Sequence, residues 1–263
     1  AASDVYKRQA ESFAWHLWRT ESEMRSETRP GGNLSHANME RRNLSGANLI
    51  SADLRNANLN RADLRGARMS GATLSGANLS SADLFGAVLS NAELRNANLS
   101  NADLGATEMI SADLTDTNLS NAKLVCAELT GVDLTGADLT AANLTCAKLT
   151  DTNLSNFNLS NVELGGAELG MADLSNANLT SANMYNVDLT TAVLSNANFR
   201  NARMVYVDLE NANLSGNDLQ NTEWSWAVLL RAYLSGADMT DADLNNANLQ
   251  DADLSGADLT NAN

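Results

Sequence analysis

From Gly32 onward one apolar position returns every fifth residue without a slip. These centres run from Leu34, Met39 and Leu44 to Leu259, 46 in all: 38 Leu, six Met, Phe199 and Trp224. Two residues before each centre the chain again prefers an apolar side chain, but a small one. Of the 47 such positions between Gly32 and Ala262, 35 are Ala. The residue between is usually Asp or Asn, the residue after the centre is usually Ser or Thr, and the next is often Asn or Gly. A five-residue period fits neither the roughly 3.6-residue turn of a helix nor the alternation of a simple strand. It fits a coil that turns a corner every five residues. Ala points in, Asp or Asn out and Leu in, as along a strand, and the remaining two residues make the corner, where Gly and Asn tolerate unusual backbone angles. Four such sides close one coil of twenty residues.

The consensus Ala-(Asp/Asn)-Leu-(Ser/Thr)-X over residues 32–263 resembles the pentapeptide-repeat family. That resemblance implies an all-β fold, the right-handed quadrilateral β-helix, with the central Leu and the preceding Ala inside. It also implies a bacterial source. The 46 centres make about 11.5 coils, and coils spaced like neighbouring strands would stack into a rod roughly 55 Å long. A solenoid exposes the pairing edges of its end coils, so a cap is expected. Residues 10–28 read as a short N-terminal cap helix with Phe13, Leu17 and Met24 on one apolar face, ended by Pro30-Gly31-Gly32. No cap is legible at the other end, which leaves self-association through the C-terminal coil open. The run Asp4–Gln9 reads as a translated sequencing adaptor. With the missing start Met and the stop in mid-repeat, it makes residues 1–31 a non-native start plus cap, and the chain a gene fragment.

Residues twenty apart share a column on the rod. One column reads Asn38, Asn58, Asn78, Asn98 and Asn118, and its amides are placed to hydrogen-bond along the axis. Two columns are acidic. The first holds Asp53, Glu93, Asp113, Asp133 and Asp173, and the second holds Glu108, Glu128, Glu168, Asp188 and Asp208, interrupted by Lys148. Carboxylates stacked at strand spacing repel, so folding alone does not ask for them. Net charge is −15, and residues 101–263 hold 22 acidic residues against five basic ones. Such a body disfavours nucleic acid and anionic membranes and suits basic partners.

The least regular stretch is 199–233. There Phe199 and Trp224 replace central Leu, Asn217 replaces an inward Ala, and Val205, Tyr206, Trp226, Val228, Leu230 and Tyr233 take outward positions. Apolar side chains on an Asn/Asp/Ser surface mark a candidate contact patch. A bulged coil whose aromatics shield a widened core is the alternative. Cys126 and Cys146 are also twenty apart, at the same outward corner position and close enough to bridge. Neighbouring in-register strands aim their side chains in parallel, however, so two free thiols in a reducing cytoplasm are expected.

No Ser-His-Asp set, zinc spacing, phosphate loop or calcium loop stands out, and the only histidines are His16 and His36. No enzyme activity, cofactor or metal is therefore expected, and no apolar run reaches the roughly 18 residues of a membrane helix. The leading expectation is a cytoplasmic protein-binding or scaffolding solenoid with a protein partner and no direct nucleic-acid binding. Two alternatives stand beside it. One branch of the family that the chain resembles protects DNA gyrase by resembling duplex DNA, so the acidic columns could serve a DNA-mimicking binder of gyrase or another DNA-binding protein. The chain lacks that branch's interrupting loop and C-terminal dimerisation element. The other alternative is a spacer arm of a larger protein.

Overall fold

A computed structural model describes residues 30–263. The helical cap expected over 10–28 and the run Asp4–Gln9 lie outside the described residues. Each five-residue unit holds one residue paired in parallel with residues twenty before and twenty after it, as in Asn38–Asn58–Asn78–Asn98. Four such positions recur per twenty residues, so the chain winds as a four-sided stack of coils. The sides are shorter than expected, because one residue pairs on each side and no extended strand forms among the described residues.

The backbone explains why. The amide of the Ala-position residue donates to the carbonyl of the centre three residues earlier, as in Ala57 to Leu54 at 3.0 Å and Ala177 to Leu174 at 3.0 Å. The second corner residue carries a positive φ, for example 55° at Asn56 and 57° at Asn176, and the first does not. That is the type II turn, which asks for Gly or Asn at its third residue. Between corners the ladder runs from coil to coil, with Leu54 N–H to Thr73 O at 2.8 Å, Asn56 N–H to Ser75 O at 3.0 Å and Asn58 N–H to Ala37 O at 2.9 Å. Almost every backbone group thus finds its partner in the adjacent coil.

The interior is a square shaft. Centres such as Leu74, Leu99 and Leu174 are fully buried, as are Phe199 and Trp224. Polar residues at the Ala position are accommodated by turning inward groups back on the corner. Thr107 and Thr117 donate their hydroxyls to Leu104 O at 2.7 Å and Leu114 O at 2.6 Å. Thr222 does the same to Leu219 O at 2.5 Å and accepts the Trp224 indole N–H. Asn217 is satisfied on one side only. Its amide nitrogen donates to Leu194 O at 2.9 Å, and its buried Oδ1 has no partner.

The ladder lapses at two junctions among the described residues. Pairing is missing at Asp133/Asn153 and Asp138/Asn158, and again at Val193/Asn213. The first lies beside Phe157, which occupies an Ala position and is only half-buried, like its neighbour one coil back, Ala137. The second lies beside Asn217, whose side chain has claimed a carbonyl of the coil before it. Each lapse lies beside an inward side chain larger than Ala, whereas Val162, Val187 and Val207 take the same position fully buried with the pairing intact.

Two substitutions in one intact coil test this. Leu99→Ala should lower unfolding free energy by about 2–5 kcal/mol through lost burial and a cavity. Ala97→Leu, although it adds apolar surface, should also destabilise, by about 1–3 kcal/mol or more. A neutral or stabilising Ala97→Leu in urea unfolding would show that the shaft has space the structure does not give it.

Candidate functional site

One edge of the rod differs from the other three. Its corner residues, taken coil by coil, include Phe85-Gly86, Val125-Cys126, Thr145-Cys146, Gly165-Gly166, Tyr185-Asn186, Val205-Tyr206 and Ser225-Trp226. Tyr206 and Trp226 occupy the second corner position with φ of 59° and 63°. Bulky residues rarely adopt that conformation, which typically costs about 1–3 kcal/mol and persists only where the surroundings impose it. Here the ladder imposes it, and the rings are carried outward. Tyr206 stacks on Trp226, with centroids 6.3 Å apart and planes 15° apart, and meets Tyr185 edge-on at 5.6 Å. The Arg203 guanidinium lies 5.7 Å from the Tyr185 ring centre and reaches Glu223 at 3.4 Å. Beside the ridge lies a shallow, open depression whose lining includes Thr145, Gly165, Gly166, Asn183, Tyr185 and Arg203. The rings remain open to solvent, with relative exposures of 42% for Tyr185, 47% for Tyr206 and 53% for Trp226.

The residues expected to form a contact patch are only partly brought together. Val205, Tyr206 and Trp226 share this edge, and Val228 follows on the adjoining side, half-buried and paired with Asp208. Leu230 is half-buried at the next corner, and Tyr233, 54% exposed, lies beyond it in the column of Asn213. Tyr185 and Arg203 were not anticipated. Tyr185 stands 21 residues before Tyr206, in the first corner position rather than the second, so a strict twenty-residue register passes over it.

The second acidic column is paired throughout from Glu108 to Asp208, while the first is interrupted between Asp133 and Asn153. Glu93, Asp113 and Asp133 pair in succession, and so do Glu168, Asp188 and Asp208. The fold does not require the charge, since Asn153 and Asn158 accept the same corner bond, but it does use these carboxylates. Many accept the N–H of the residue two positions on and so brace the corner, as in Asp133 with Thr135 at 3.0 Å, Asp173 with Ser175 at 2.8 Å and Asp188 with Thr190 at 2.9 Å. Others are neutralised within the rod. Arg55 grips Asp53 at 2.7 Å, Arg95 reaches Asp113, and Lys148 pairs with Glu128 at 2.9 Å. The Asn column also forms, with Asn58 donating to Asn38 at 3.1 Å and Asn178 to Asn158 at 3.1 Å.

The two cysteines call for a correction. Cys126 and Cys146 are not free but joined, with Cα atoms 4.5 Å apart. Both sit at the second corner position with positive φ. There the side chains are not held in the parallel alignment of paired strands, which is why the expected obstacle does not arise.

This architecture defines a class: a repeat solenoid whose chemistry lies in outward columns and corners. The chain belongs to the pentapeptide-repeat family, whose model, described as pentapeptide repeats, matches it in eight copies, from 32–71 through 227–263. It is similar to HetL of the cyanobacterium Nostoc sp. strain PCC 7120, a pentapeptide repeat protein involved in heterocyst differentiation regulation. Identity is 34% over 88% of this chain and 90% of that one, with a TM-score of 0.24. It is similar to Rfr23 of the cyanobacterium Cyanothece 51142 at 31% identity over 41% of this chain and 83% of that one, with a TM-score of 0.31. A third likeness is to QnrB1, a plasmid-mediated fluoroquinolone resistance protein, at 22% identity over 72% and 88%, with a TM-score of 0.26. No curated protein matches. Nothing in the family match indicates a catalytic family.

The carboxylates give a measurable signature. The Arg55 side chain, opposed by partial burial and helped by the Arg55 N–H, holds Asp53 below its ordinary 3.8. The Thr135 N–H and hydroxyl hold Asp133 below 3.8, and the Thr130 hydroxyl and Lys148 hold Glu128 below 4.5. A depressed folded value means that the unfolded chain binds protons more readily. The contribution is therefore complete above the unfolded value and is lost as pH falls through the folded one. Carbon-detected NMR should find Asp53 and Asp133 titrating below 3.8 and Glu128 below 4.5. Arg55→Ala should move Asp53 upward and leave Asp133 where it is. Titration of Asp53 at its ordinary value in the intact protein would contradict the pairing.

Proposed function

We propose that this chain is a right-handed quadrilateral β-helix that acts without catalysis, binding another protein through the aromatic edge around Tyr206 and Trp226. The observation that carries the reading is conformational. Two bulky aromatics occupy corner positions where Gly, Asn, Asp and Ser prevail, and they gain little burial there. Exposed Trp, Tyr and Arg on an otherwise small and polar surface have the composition of an interface hot spot. Tyr185 and Arg203 extend that surface.

The second reading treats the acidic columns as a stand-in for duplex DNA toward gyrase or another DNA-binding protein. The net charge of −15 and the run Glu168, Asp188, Asp208 favour it. The internal pairing of Asp53, Asp113 and Glu128 weakens the field that such mimicry needs. No observation favours the spacer-arm reading over these two.

Trp226→Asn separates the readings. Asn tolerates the left-handed corner that Trp resists, so the variant should melt at the same temperature as the parent or slightly higher. Crosslinking capture of the partner from cells of the source should fall at least about tenfold, and capture by the parent should survive about 0.5 M salt, where screening is short-ranged. If capture instead collapses with salt, ignores Trp226→Asn and is lost in Glu168→Gln/Asp188→Asn/Asp208→Asn, the acidic columns are the binding surface.

A further inference from the structure

Each junction between coils has four pairing positions. In the junction between coils 121–140 and 141–160, pairing is kept at Lys123–Asn143 and Glu128–Lys148 and is absent at Asp133/Asn153 and Asp138/Asn158. The kept sides hold normal bonds, with Cys126 N–H to Thr145 O at 2.8 Å, Leu129 N–H to Lys148 O at 2.9 Å and Lys148 N–H to Ala127 O at 2.9 Å. On the other two sides the amides of Leu134, Gly136 and Leu139 donate to no carbonyl of the next coil. The corner between the kept sides is the one spanned by Cys126–Cys146, diagonally across from the open corner at Thr135-Gly136. The chain has only these two cysteines, and they bridge the junction that has lost the most pairing among the described residues.

We propose that the Cys126–Cys146 disulfide is a redox-operated clasp that holds this junction closed. The inference is independent of the aromatic-edge reading. A solenoid is held together by successive nearest-neighbour interfaces, so its weakest one decides whether it behaves as one body or two. Half of the ladder is absent here, and the covalent link supplies what hydrogen bonds do not. Cys126 is exposed and Cys146 half-buried, so a dithiol reductant can reach them. Its thiolate attacks one cysteine sulfur and releases the other as a thiol. Its second thiol then resolves the mixed disulfide, leaving two cysteine thiols and the reductant's own disulfide. Once reduced, the junction keeps two sides of hydrogen bonds and the Glu128–Lys148 pair, and it opens like a book at the corner where Leu134, Leu139, Leu154 and Leu159 are now buried. The segment beyond 141, which carries Tyr185, Tyr206 and Trp226, is then uncoupled from the segment before it.

Amide hydrogen exchange before and after dithiol treatment tests this. The amides that donate across the junction, those of Leu124, Cys126, Leu129, Asn143 and Lys148, should exchange at least about tenfold faster after reduction, those over 74–104 should not change, and reoxidation should restore the original pattern. The Cys126→Ser/Cys146→Ser variant should exchange like the reduced parent and show no response to dithiol. Two free thiols in the never-reduced protein, equal exchange in both redox states, or a dithiol response in the double variant would each overturn the clasp.

Discussion

Every coil is bonded to the next through its own backbone, and the length of those bonds sets the height available to each turn of the rod. Near 4.8 Å per coil, four centres and four inward neighbours must share a thin square layer. Leu fills the middle of that layer, and beside it Ala is the rule, with Val162, Val187 and Val207 also buried there without loss of pairing. The near-monotony of Ala is a steric consequence of the ladder, as is the cost of every departure from it. Thr is admitted because its hydroxyl folds back to the carbonyl three residues earlier. Asn217 is admitted less well, taking the carbonyl of Leu194 and leaving Oδ1 unpaired. Phe157 stays half-buried, and pairing beside it is lost toward the preceding coil though kept toward the next.

The same ladder governs the surface. It forces one residue in five through a left-handed corner, and most such positions hold Gly, Asn, Ser or Asp. It also leaves an N–H two residues after each outward side chain, which Asp and Asn accept. Part of the acidity that suggests a DNA-like rod is therefore a by-product of corner bracing. Tyr206 and Trp226 run against this economy. They occupy the corner against their conformational preference and remain half-exposed, so a partner gives a reason for them that folding does not.

The register, the inward positions, the φ-tolerant corners and the Asn column were all legible in the sequence, because a strict period transfers one local geometry to every unit. What was not legible depends on departures from that period or on side-chain direction. Tyr185 joins the aromatic edge from a position 21 residues from Tyr206. Arg203 belongs to the edge only because its guanidinium folds over the Tyr185 ring. Cys126 and Cys146 are legible as corner neighbours, but their joining depends on side-chain direction at a positive φ, which the period does not state. Asn217 announced itself as a buried amide, but that the coils part beside it and beside Phe157 follows from shaft dimensions that no periodicity states.

The account stands on the claim that inward space, rather than apolarity, limits this fold. Phe157→Ala, compared with the parent by urea unfolding with the disulfide intact, tests it most directly. If the shaft is the constraint, removing the large apolar ring should raise stability by about 1–3 kcal/mol, as relief of overpacking does. A loss of about 3–5 kcal/mol, the usual consequence of truncating a core Phe, would mean that Phe157 is a well-packed core residue and that the opening beside it has another cause.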